Sequence, residues 1–273
     1  MRPEPVDDRI SDLGEGPVWD ERTGALRWVD IPAGLVHRTD GDSLRLPPPA
    51  CAILPTTTGW AAVLGDRVTA LDEPGEVPVP LGRASRCNDA KTDPAGRIWL
   101  GTMAPDDLPG RGALHRLDGG GLTAVVPGAS ISNGLGWSPD GTRMYWIDTP
   151  TRRIDVFDFD LADGTLGGRR PLAAVEGGFP DGLAVDAQGA LWVALWGGAA
   201  LHRYLPDGTL DTVLPTGVSH PTSCAFGGED LRTLYITTAR RPAADGAFSP
   251  HAGQLHAVRV PVPGSPPTPA LFP

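Results

Sequence analysis

The chain repeats itself, and a period of about 40 to 50 residues is the length of a supersecondary module that cannot bury its apolar face alone. Three segments align without gaps: NDAKTDPAGRIWLGT from Asn88, NGLGWSPDGTRMYWIDT from Asn133 and DGLAVDAQGALWVALW from Asp181. Each opens on a polar residue, carries Asp93, Ser138 or Asp186 five positions on, and places Gly96, Gly141 or Gly189 eight positions on. An apolar run holding Trp99, Tyr145 or Trp192 follows, at intervals of 46 and 47 residues. Alternating residues such as Leu183 and Val185 suit a half-buried strand, the Pro-Asp-Gly or Ala-Gln-Gly tip suits a hairpin, and Leu-Trp-Val suits a buried second strand.

Looser copies extend the series. EGPVWDERTGALRWVD from Glu15 keeps the acid as Asp20 but adds a turn residue before Gly24, and CAILPTTTGWAAVL from Cys51 keeps Thr56 and Gly59. TSCAFGGEDLRTLYITT from Thr222 loses the glycine and keeps the second strand around Tyr235. Six units of about 45 residues, each four strands long, account for the 273 residues. The prediction is an all-β, six-bladed β-propeller occupying residues 1–273 as a single domain. The segment before Leu13 is expected to supply a strand to the last blade near residues 254–260, closing the ring over an exposed edge. The Pro-rich tail from about residue 261 reads as extended. Gly 36 and Pro 30, together nearly a quarter of the chain, would suggest disorder in a polar sequence. With 40% hydrophobic residues and eight Trp, they instead count the turns of many short strands.

In a propeller the first strand of each blade lines the central axis, so equivalent positions form a ring. That ring is Glu15, Cys51, Asn88, Asn133, Asp181 and Thr222. Two carboxylates and two carboxamides converging on one channel mouth suit a single divalent cation: Ca²⁺, Mg²⁺, Mn²⁺, or Zn²⁺ through carboxylate oxygen. Asn-Gly and Asp-Gly are also common turn pairs, but four oxygen-bearing side chains in one register favour a metal site. Asp20, Asp93 and Asp186, by contrast, recur at the hairpins and read as structural. Trp and Tyr at repeat positions read as core.

These residues carry a pattern. LGEGPVWD, then RCNDAKTDPAGRIWLGTM, ISNGLGWS and PDGLAVD, with PTSCAFGG and LYITTAR in the last blade, resemble the gluconolactonase and senescence-marker protein family, which includes regucalcin. The resemblance runs from Leu13 to about His256. It implies a six-bladed propeller that binds one divalent metal and hydrolyses sugar lactones. Carried over residue by residue, Glu15, Asn133 and Asp181 would be the metal ligands, and Arg86, Asn88 and Asp106 would contact substrate. The repeat alignment brings the same three ligand positions into one layer. Asp181, at once a ligand and near the attacking water, would be the general base. Arg86 would reach sugar hydroxyls or the ring oxygen, and Asp89 would orient its loop.

Other classes have weaker support. A non-enzymatic calcium-binding propeller would use the same ligands, but does not need a guanidinium beside them. A phosphotriester or other ester hydrolase on the same scaffold is the further alternative. No G-x-S-x-G elbow occurs, and the six His residues show no HExxH spacing and none belongs to the ring. His220 and His251 lie in connecting segments. Cys51, Cys87 and Cys224 lack metal or disulfide spacing and read as buried thiols. The net charge of −10 has the wrong sign for tracking phosphates, so nucleic acid is not an expected partner. No stretch has signal-peptide or membrane-span character. A cytoplasmic protein with a small-molecule sugar lactone as partner is expected, with no membrane association and a monomer as the default.

Overall fold

The computed structural model describes residues 1–72, 74–81, 86–104, 108–119 and 121–271. Six four-stranded antiparallel sheets follow one another along the chain. Residues 14–45, 50–78, 86–129, 132–174 and 179–215 form the first five blades, each pairing its strands in sequence order. The sixth, residues 221–259, takes its outermost strand from the other end of the chain: Glu4 pairs Ala257 and Pro5 pairs His256. The propeller expected from the repeat, with its amino-terminal closing strand, is therefore the fold observed. Among the described residues the helical element is the single turn Thr149–Thr151, and no helix is long and apolar enough to cross a membrane.

The grammar of the repeat has a local physical cause at each hairpin. Asp93 Oδ1 accepts the backbone N–H groups of Ala95 (2.9 Å) and Arg97 (3.0 Å), while its Oδ2 accepts Trp99 Nε1 (2.9 Å) and Arg97 Nε (2.6 Å). Asp186 repeats the arrangement with Gln188, Ala190, Trp192 Nε1 and Arg203. One buried acid thus fixes the turn, the next strand and the core tryptophan together. Trp99, Tyr145 and Trp192 are buried in seams between blades. Trp19 of the first blade stacks on Tyr235 of the last at 5.9 Å, so the closing seam is aromatic too.

At the opposite end of each inner strand, the pairing register slips. The irregularities fall at Glu15/Val18, Ala50/Ala52, Cys87/Ala90, Ser132/Leu135, Pro180/Leu183 and Pro221/Ser223. A bulge re-aims the side chains beside it, and here it sits at the ring position of every blade. Asn133-Gly134 and Asp181-Gly182 are accordingly strand bulges and not turns. A Cβ on Gly134 would lie 2.5 Å from the Asp181 carbonyl oxygen, and one on Gly182 would lie 2.1 Å from Ser223 Oγ. Glycine at these positions lets adjacent inner strands approach closely around the axis.

The Pro-rich segment is extended, and it is held. Gly264 N donates to Leu231 O, Ala187 N to Pro263 O, Ala270 N to Pro55 O and Leu271 N to Gly96 O. It therefore straps the hairpin end of the channel from the last two blades across to the second and third.

Candidate active site

The inner strands Gly14–Asp20, Arg86–Thr92, Ser132–Trp137 and Phe179–Val185 bring Glu15, Arg86, Asn88, Asn133 and Asp181 onto one cavity of about 360 Å³ at the bulged end of the channel. Five of the six residues expected at the site thus meet there. Asp106, the sixth, lies outside the described residues, as does Asp107 beside it. The remaining ring positions turn to the scaffold. Cys51 Sγ donates to Cys87 O (3.0 Å), and Thr222 Oγ1 donates to Gly14 O (2.5 Å). Burial pushes the Cys51 thiol up to about 11, as suits an inert packing residue.

A chain of hydrogen bonds orients the amides. Arg86 donates to Asn88 Oδ1 (3.1 Å) and to Cys87 O (2.8 Å). Asn88 Nδ2 donates to Asn133 Oδ1 (2.9 Å), Asn133 Nδ2 to Thr149 Oγ1 (2.8 Å), and Thr149 Oγ1 to Pro180 O (2.8 Å). Asn133 is thereby fixed with its amide nitrogen toward Thr149 and its oxygen toward Asn88. Thr149 was not singled out in the sequence; it opens the Thr149–Thr151 turn just after the second strand of its blade, where the repeat register gives no ring position.

The carboxylates have no such satisfaction. Burial pushes the Glu15 carboxyl well above its ordinary range, and the charges of Asp181 and Asp89 push it further, against the Gly16 N–H and the Arg86 guanidinium. Asp181 is raised in the same way, by burial and then by Asp89, with an Asn133 hydrogen bond opposing. Asp89 is itself raised by burial and held down by Lys91, the one lysine in the chain, whose Nζ donates to Leu183 O at 2.7 Å. Asp89 does not merely orient a loop: the bulge at Cys87/Ala90 turns it into the channel, where it walls a second cavity of about 180 Å³ behind the ligand layer. Residues 265–268 of the strap close that cavity on its far side.

Two mutually destabilised buried acids beside a fixed carboxamide oxygen are what a divalent cation would relieve, so the donor set fits a hard or borderline ion. Among the described residues there is no group of three His, Cys, Asp or Glu side chains that could hold a metal, and this set contains two acids and one amide. Pro150, Phe179 and Trp196 form an apolar wall to the cavity. No histidine lines it, although His220 packs edge-on against Trp196 with ring centroids 4.6 Å apart. Burial lowers the pKa of His220, as it does for His37, His115, His202 and His256.

Residues 13–240 match the family model described as the SMP-30/gluconolactonase/LRE-like region. The chain belongs to that family. It is 41% identical to the 6-deoxy-6-sulfogluconolactonase of Pseudomonas putida, with 92% of each chain covered. It is 36% identical to regucalcin of Bos taurus, covering 86% of this chain and 89% of that one. The crystal structure of regucalcin from Agrobacterium tumefaciens, described as a calcium-binding protein, superposes with a TM-score of 0.89 at 26% identity, covering 98% of this chain and 96% of the other.

Proposed function

We propose that this chain is a metal-dependent hydrolase that opens sugar lactones, with its site at the bulged end of the channel. The observation that carries this reading is the pair of buried acids, Glu15 and Asp181, facing a cavity large enough for a sugar ring and bordered by Arg86 and Asn88. The lactonase named among the relatives supports the substrate class.

Glu15, Asn133 and Asp181 would hold the divalent cation. When bound, it would supply a Lewis acid for the lactone carbonyl and lower the pKa of a coordinated water. Asp181 accepts the proton of the attacking water. Asn88 is pinned, its amide hydrogens going to Asn133 Oδ1 and Ser132 O and its Oδ1 accepting from Arg86, which leaves the second lone pair of that oxygen for a sugar hydroxyl. Arg86 uses one nitrogen for its own strand and for Asn88, leaving the rest of its fork for the ring oxygen or hydroxyls. Phe179 and Trp196 receive the apolar face of the sugar and exclude bulk water. A purely ion-buffering propeller, the role suggested by the calcium-binding relative, would not require the cavity, guanidinium and apolar wall in front of the ligands.

The test is acid release from a panel of aldonolactones by chelator-treated and metal-reloaded protein. Hydrolysis well above the spontaneous rate that depends on the metal is expected. Equal rates with and without protein would overturn the reading.

A further inference from the structure

One exposed arginine, stacked on a residue of the cavity wall, has no part in the chemistry above. Arg152 follows the Thr149–Thr151 turn, whose Pro150 lines the cavity, and takes a left-handed backbone with φ 51° that is unusual for a residue bearing a long side chain. Its guanidinium lies over the Phe179 ring, 3.9 Å from the centroid, and Phe179 is part of the cavity wall. Its backbone is engaged, N–H to Thr149 O and C=O to Val175 N, but among the described residues its guanidinium has no hydrogen-bond or ion-pair partner. The adjacent Arg153 shows the contrast: its guanidinium is taken by Asp155 at 2.8 Å. A stacked guanidinium keeps its in-plane donors free, and that fork matches the oxygens of a carboxylate, sulfonate or phosphate.

Position and charge point the same way. Phe179 precedes Asp181 by two residues on one inner strand, a separation of about 7 Å. Among the described residues, the charged side chains lining the cavity are Glu15, Asp181 and Arg86. A divalent cation would balance those two carboxylates, leaving Arg86, with Arg152 beside the cavity wall, as the cationic groups among the described residues on a chain whose net charge is −10.

We propose that Arg152 is a specificity residue that selects sugar lactones carrying an anionic group at the end remote from the carbonyl. The proposal rests on the lactonase reading and goes beyond it in naming the substrate class. A neutral sugar lactone would leave the free guanidinium without its partner.

The experiment compares glucono-δ-lactone with its 6-phosphate and 6-deoxy-6-sulfonate on metal-loaded wild type, Arg152→Gln and Arg152→Lys, with melting temperature recorded for each. Wild type is expected to favour the anionic lactones in kcat/KM by about tenfold or more, less so at high salt. Arg152→Gln should cut that ratio about tenfold, chiefly through KM, and Arg152→Lys should restore part of it. A wild type without preference, or a ratio unmoved in Arg152→Gln, overturns the proposal while turnover of the neutral lactone leaves the lactonase reading standing. If no lactone is opened, that reading fails, and calorimetry of gluconate 6-phosphate against gluconate still decides the point. Tighter binding of the phosphate that Arg152→Gln abolishes supports the proposal; equal binding overturns it.

Discussion

The two ends of the same inner strands treat their acids in opposite ways. In the fifth blade Asp181 and Asp186 are five residues apart, and both are buried. Asp186 accepts from two backbone N–H groups, a tryptophan and an arginine, all from its own blade. Asp181 has an amide from the neighbouring blade, and the carboxylate of Asp89 raises both it and its partner Glu15. A buried acid whose donors are all local stabilises the fold. One that faces other acids across blade boundaries costs stability, and its retention is explained by what it can bind.

Substitution should separate these roles. The largest expected effect is Asp181→Asn, which should lower lactone turnover by about a thousandfold or more, while the metal-free protein melts no lower than wild type because an uncompensated buried charge is gone. Steady-state kinetics and thermal melts check both halves. Asp186→Ala should do the reverse. It should cost about 3 kcal/mol or more of stability by denaturant unfolding, since Arg203, two backbone groups and Trp192 lose their acceptor, with turnover per folded molecule retained.

The pH dependence follows from the same contrast. Glu15 and Asp181 have folded pKa values above their unfolded ones, so the stability linked to their protonated forms is complete below the unfolded values and lost as pH rises through the folded ones. Metal-free protein should therefore lose stability over that upward window. Metal competes with those protons, so the rise in melting temperature on adding the cation should grow with pH. A metal-induced shift that is constant or shrinks with pH would contradict the assignment. The smallest effect is expected for Thr149→Val. It should weaken metal binding by about tenfold to a hundredfold by freeing Asn133, at a stability cost of about 1 to 2 kcal/mol, measured by calorimetry and unfolding respectively.

Much of this was legible because repeat position maps onto place in a propeller. Glu15, Asn133 and Asp181 share one register position, so topology alone sets them in one layer despite their distance in sequence. The hairpin acids were legible because Asp-x-x-Gly turns followed by tryptophan carry their own local bonding. Phe179, just before its repeated segment, and Thr149 and Trp196, the last residues of theirs, were not, since their direction depends on where each strand ends. Asp89 was misjudged because a bulge, which changes the alternation of a strand, has no composition signal of its own. The closing role of residues 261–271 was similarly hidden: a Pro-rich segment reads as extended, but its hydrogen bonds to four blades depend on the completed ring.

The central claim is that the acids at the mouth hold one divalent cation that lactone opening requires. The most direct measurement is a titration of chelator-treated protein with Ca²⁺, Mn²⁺ or Zn²⁺ in which bound ion and lactone hydrolysis are followed together, with the Glu15→Gln, Asp181→Asn double variant alongside. Activity should return in proportion to binding, saturate at one ion per chain, and be absent with binding lost in the double variant. Full activity in the metal-free protein, or unchanged binding in the double variant, would contradict the account.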